Sequence, residues 1–123
     1  MNSARFAALV RRAVAEVPEP FRSRIAGLKI VVQDEPTPAQ LRQWELGAED
    51  ADLLGFYDGV PLTERSEEDP VPSQDAIYVF RRAHLEMCAD DEELAEEVRK
   101  TVIHEIGHHF GLDDDRIDEL GYA

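Results

Sequence analysis

Phe6, Leu9, Val10, Ala13, Val14 and Val17 recur at intervals of three and four residues, which puts them on one face of a helix. Asn2 or Ser3 can cap its start, and Pro18 and Pro20 stop the pattern. Leu28 to Gln33 is a short apolar run rich in β-branched residues and reads as a buried strand. From Ala39 to Asp52 the pattern is ambiguous, because Leu41, Trp44 and Leu46 fit either a helical turn or an irregular cover over the core. Leu53 to Leu62 suggests a strand or a hairpin around Asp58-Gly59. Thr63 to Gln74 is polar, acidic and broken by Pro70 and Pro72, so it reads as a loop, first a tolerated surface excursion and alternatively a flap beside the site. Ala76 to Arg82 alternates, is rich in strand formers and predicts a further strand. Beyond it, Leu94, Val98, Val102, Ile106 and Phe110 repeat at four-residue steps. Asp90 or Asp91 can cap that long helix, Glu92 and Glu93 suit the positive end of its dipole, and Gly111 can end it in a left-handed turn. A short helix from about Arg116 to Leu120 closes a chain without internal repeats. Helices and strands in this order predict a single α+β domain over residues 1–123.

Composition narrows the functions open to such a domain. Its 123 residues fit one core, while 13 Lys plus Arg against 27 Asp plus Glu leave a formal net charge of -14. Phosphate backbones and anionic lipid surfaces are repelled by that balance, so neither nucleic acid nor membrane is an expected partner. The acidic runs Glu64 to Asp69, Asp90 to Glu97 and Asp113 to Glu119 read as solvated faces. No window is long and apolar enough for a membrane span, and Met1 to Arg12 lacks the apolar centre of a secretory signal. A soluble, cytoplasmic protein is expected. The lone Cys88 forms no internal disulfide and rules out a cysteine-rich structural metal site.

The chemistry is concentrated in the long helix. His104-Glu105-Ile106-Gly107-His108 matches H-E-x-x-H and sits where the helical pattern is strongest, which is the context the motif needs. Residues four apart on a helix are neighbours, so both imidazoles can point at one ion, while Glu105 lies beside the pair as a general base. The motif extends through Gly111 to Asp114 as H-E-x-x-H-x-x-G-x-x-D. A turn at Gly111 can swing a carboxylate back towards the metal. Asp114 is the favoured third ligand, with Asp113 and Asp115 read as capping or solvated alternatives and Asp118 as an acceptor for a ligand imidazole N–H. Two histidines and one carboxylate predict one catalytic zinc ion, bound through neutral imidazoles, so binding should weaken as pH falls through about 6.5. His109 reads as a structural histidine, His84 and Cys88 as isolated residues between strand and helix, and Glu97 as solvent-exposed on the flank it shares with Thr101.

With these residues in place the sequence resembles the short bacterial zincin-like proteins related to zinc metallopeptidases. Leu94 to Asp115, with Val102 to Asp115 at its centre, carries most of the likeness, and Leu54 to Arg65, with Gly59-Val60-Pro61-Leu62-Thr63-Glu64-Arg65, carries a weaker part. The resemblance implies a minimal zincin-like fold, a small twisted mixed sheet packed on the N-terminal helix and on a long active-site helix. It also implies a peptide or protein substrate along an exposed edge strand, for which Ala76 to Arg82 is the candidate. By position His104 and His108 become ligands, Glu105 the base, and Asp114 takes the place of the third histidine of most metzincins. The sequence ends at Ala123, too soon after Asp114 for the methionine-containing turn of that group.

Three functions compete on these grounds. Zinc-dependent peptide-bond hydrolysis leads. A zincin scaffold kept for metal or partner binding without turnover is the alternative. A metal-dependent endoribonuclease is disfavoured, since Asp114 stands where such enzymes carry a third histidine and the acidic surface opposes RNA.

Overall fold

The computed structural model describes residues 2–19, 21–25, 27–50, 52–59 and 75–119, the side chain of Asp118 excepted. Helix α1 (Ser3–Ala15) begins where the Asn2 side chain accepts the Arg5 N–H at 2.9 Å. It buries Phe6, Val10 and Ala13, and these join Val17, Leu94, Val98 and Val102 in the main core. Its packing partner is the long helix, here α5, and between the two come α2 (Phe21–Arg24), β1 (Lys29–Gln33), α3 (Pro38–Gln43), β2 (Gly55–Asp58), β3 (Ala76–Phe80) and α4 (Arg81–Met87). Helix α5 spans Asp91–His109, with the Asp90 carboxylate accepting the Glu93 N–H at 2.8 Å. A last helix, α6, spans Asp114–Glu119.

The sheet has the order β1-β3-β2, with β1 parallel and β2 antiparallel to the central strand. Ile30, Ile77 and Val32, Val79 are paired across β1 and β3 and face the α1/α5 core. On the other face Phe56 pairs with Tyr78, and Trp44 stacks on Phe56 with ring centroids 4.2 Å apart. The ambiguous stretch from Ala39 to Asp52 thus becomes the short helix α3 and a 3-10 turn at Ala48–Asp50, which bring Trp44 over the sheet. Thr37 and Gln40 make a reciprocal capping box at the start of α3, and Pro38 stands in its first turn.

Three expectations for the strands are corrected. The strand expected over Ala76 to Arg82 ends at Phe80, because Arg81 and Arg82 open α4, where Arg81 Nε bonds Asp34 at 2.7 Å. Nor is it the exposed edge. Ala76, Ile77, Val79 and Phe80 are all buried, and a strand apolar on both faces belongs in the middle of a sheet. Conversely β1, read as buried, is an outer strand with Lys29 exposed and its other residues half-buried. The strand expected within Leu53 to Leu62 is β2, while the return of any hairpin there and the Thr63 to Gln74 loop lie outside the described residues. The last helix starts two residues before Arg116, since Asp113 accepts the Arg116 N–H at 2.8 Å and so caps it. Among the described residues, no helix is long and apolar enough to cross a membrane.

Among the described residues β2 is an outer strand, and it lies close to α5 because Gly55 has no side chain. A Cβ there would lie 2.7 Å from the Thr101 methyl, 3.0 Å from the Tyr78 carbonyl and 3.4 Å from Glu105 Cγ. This close approach sets the space in which the motif residues sit.

Candidate metal centre

His104 and His108 stand one turn apart on α5, and their rings meet nearly at right angles with centroids 4.6 Å apart. The end of the helix decides what comes to meet them. Gly111 takes φ 85°, its N–H donates to the His108 carbonyl at 2.9 Å, and the Leu112 N–H reaches back to the Gly107 carbonyl at 3.0 Å. This pair of bonds is the glycine-terminated helix end expected from the sequence. Chain reversal lets α6 dock on α5, with buried Ile117 packed where a side chain at residue 107 would otherwise project. Asp114, the first residue of α6, is thereby placed with Oδ1 2.9 Å from Nε2 of both His104 and His108.

Glu105 is nearly buried beside them, and its Oε1 accepts the His108 Nδ1–H at 3.2 Å. That bond turns the other ring nitrogen of His108 towards Asp114. Donor atoms of His104, Glu105 and His108 lie within 4.8 Å of one another and can hold a metal ion. The wider donor set suits zinc: two imidazole nitrogens share one carboxylate oxygen, at separations a few tenths of an ångström below the roughly 3.3 Å between ligands in a tetrahedral site with bonds of about 2.0–2.1 Å.

Without the ion His108 holds a proton more tightly than an ordinary histidine. Hydrogen bonds to Glu105, and then to Asp114, raise the His108 pKa to about 9, although burial opposes the charge. The same pairing with His108, reinforced by His104, lowers the Asp114 pKa. His108 is therefore protonated at pH 7 in the metal-free protein. Zinc needs the neutral ring, so its uptake at pH 7 is expected to release a proton from His108, and affinity should keep rising as pH climbs towards about 9. Binding is therefore expected to fall off at higher pH than the 6.5 of an ordinary histidine. Calorimetric titration of zinc in buffers of different ionisation enthalpy measures the release; heats independent of the buffer would show that no proton leaves.

A groove of about 570 Å³ runs along this face of α5, with His104, Glu105, His108 and Asp114 towards one end, Lys100 one turn before His104 and Glu97 two turns before it. Its opposite wall comes from β2 and the residues leading into it, including Leu53 and Leu54. All four motif residues singled out in the sequence therefore line one surface. Asp113 instead caps α6. Glu97, expected to be solvent-exposed, has a side chain only 20% exposed and pairs with Lys100 at 3.4 Å.

His109 is buried as a structural histidine should be, and bonds Tyr57. His84 was read as isolated, but it is fully buried in α4 with both ring nitrogens bonded. Its Nδ1–H donates to the Phe80 carbonyl at 2.7 Å, and Nε2 accepts from the Thr101 hydroxyl at 2.9 Å, one turn before Glu105. Burial lowers its pKa and keeps it neutral. Cys88 is a half-buried free thiol, whose pKa burial raises. Sequence reasoning passed over Gly55 and Tyr57, which only their position opposite α5 makes relevant.

A family model described as zincin-like metallopeptidase matches residues 25–122. No curated protein matches the chain. Among solved structures, a conserved hypothetical protein from Thermus thermophilus is 28% identical, covers 89% of this chain and 94% of its own, and superposes with a TM-score of 0.57. The mixed three-stranded sheet, the long helix with its H-E-x-x-H residues on one groove, and a family match over most of the sequence agree: the chain belongs to the zincin-like metallopeptidase family.

Proposed function

We propose that this protein hydrolyses peptide bonds with one zinc ion held by His104, His108 and Asp114. The observation that carries the reading is the shared Asp114 oxygen, 2.9 Å from each imidazole, with a buried carboxylate at its side. Zinc bound there lowers the pKa of water towards neutrality and polarises a carbonyl. The residues of the chain supply the rest. Glu105 accepts the proton of the attacking water and delivers it to the leaving nitrogen. His108 keeps its orientation through its bond to Glu105. Asp114 supplies negative charge that favours a cation over a proton-free void.

The substrate's backbone is accommodated by β2, which replaces β3 as the candidate edge. The Phe80 N–H bonds the Leu54 carbonyl at 3.0 Å, so with this register Leu54, Phe56 and Asp58 turn their backbone groups to β3. Gly55 and Tyr57 turn theirs outward. An extended peptide can pair with those groups while its side chains meet the apolar wall of Leu53 and Leu54. The test is cleavage of a peptide library by zinc-loaded protein. Turnover that is lost with a chelator and restored by zinc supports the reading, whereas bound zinc with no cleavage across the library contradicts it and leaves a non-proteolytic metal-binding scaffold.

A further inference from the structure

Beside the groove, three polar side chains meet, two of them buried and one half-buried. Asp75, just before β3, is 5% exposed, and His109, the last residue of α5, is 6% exposed. Tyr57 of β2 reaches both: its hydroxyl is 2.8 Å from Asp75 Oδ2 and 3.0 Å from His109 Nδ1, and the latter two atoms are 3.4 Å apart. A phenol has one proton. Because the hydroxyl donates it to Asp75, the contact with His109 requires an imidazole N–H that donates to the phenolic oxygen. Gly59 leaves room for the cluster, since a Cβ there would run into Asp75 Oδ1 and come 2.9 Å from the Tyr57 hydroxyl.

Burying Asp75 and His109 costs free energy that apolar residues of the same size do not, and hydrogen bonds offset the cost only when geometry is held. What such a chain adds is a fixed arrangement. His109 directly follows His108, so a bond to its ring restrains the rotation of the last turn of α5. Tyr57 lies on the strand that forms the far wall of the groove. The bond between them therefore sets the spacing from β2 to the metal helix at one end, as the close approach that the missing side chain of Gly55 allows does at the other.

We propose that Asp75, Tyr57 and His109 are positioning residues of the metal centre, holding the turn that carries His108 in register with β2. This rests on the metal reading of His104, His108 and Asp114. The test titrates zinc, and cobalt as a spectroscopic probe, into full-length wild type, Tyr57→Phe, His109→Leu and His109→Asn. Tyr57→Phe and His109→Leu should bind zinc about tenfold or more weaker, in line with losses seen for partners that orient ligands, with altered visible bands of the cobalt form. His109→Asn keeps an N–H near the place of Nδ1 and should restore both to within about threefold of wild type. Unchanged zinc affinity and cobalt spectra in Tyr57→Phe and His109→Leu, whatever happens to their melting temperatures, would reduce the cluster to scaffolding. Wild type that takes up neither ion removes the metal reading itself, a separate failure.

Discussion

Glu105→Gln is expected to lower kcat/KM for peptide cleavage by about 100- to 10,000-fold, the range associated with a positioned general base, while one zinc ion stays bound. The substitution keeps size and shape in a nearly buried position, and a glutamine oxygen can still accept the His108 Nδ1–H that Glu105 accepts now. Only the capacity to take a proton is removed. Glu105→Ala differs in kind, since it also releases the His108 ring and should weaken the metal itself. Comparing steady-state cleavage with metal content by atomic absorption separates the two effects. Cleavage by the glutamine variant equal to wild type would remove Glu105 from the mechanism.

Asp114→Ala should cost more than about 100-fold in zinc affinity, since the loss of a ligand ought to exceed the 10- to 100-fold typical of partners that only orient one. Its neighbours provide the control. Asp113→Ala loses the cap of α6 and should cost about 1 kcal/mol of stability, with zinc affinity nearly unchanged. Competition titrations with a chelator of known affinity, run on Asp113, Asp114 and Asp115 variants in parallel, assign the role. Zinc loss in either neighbour, with retention in Asp114→Ala, would transfer the third position along the chain.

The site was legible because its residues follow a strict local geometry. Two histidines four apart on a strongly periodic helix must share a face, and a glycine at the helix end in the left-handed conformation explains how Asp114 returns to them. Helices α1 and α5 were equally clear, since each has a capping side chain and an apolar stripe. Strand placement was not. Whether a short apolar run lies at the edge or the centre depends on which partners pair with it, and local pattern holds no record of that. Thus Ala76 to Phe80 moved to the middle of the sheet, with Gly55–Asp58 outermost on one side among the described residues.

Helix α4 escaped notice because it follows β3 without an intervening loop and has no side-chain cap. His84 went with it, although its buried bonds to Phe80 and Thr101 help support the motif helix. The Asp75, Tyr57 and His109 cluster draws on residues 18 and 52 positions apart, beyond any window of local reading. The cap of α3, by contrast, was present in the sequence as Thr37-Pro38-Ala39-Gln40 and could have settled the ambiguous stretch.

Anomalous X-ray scattering at the zinc edge, from crystals of zinc-loaded protein, tests most directly whether a carboxylate carried round by the Gly111 turn completes the grip of the two histidines. The account predicts one strong peak about 2.0–2.2 Å from Nε2 of His104, Nε2 of His108 and a carboxylate oxygen of Asp114, with Glu105 outside bonding distance. A peak held by other residues, or histidines that leave the groove by separate paths with no peak between them, would contradict it.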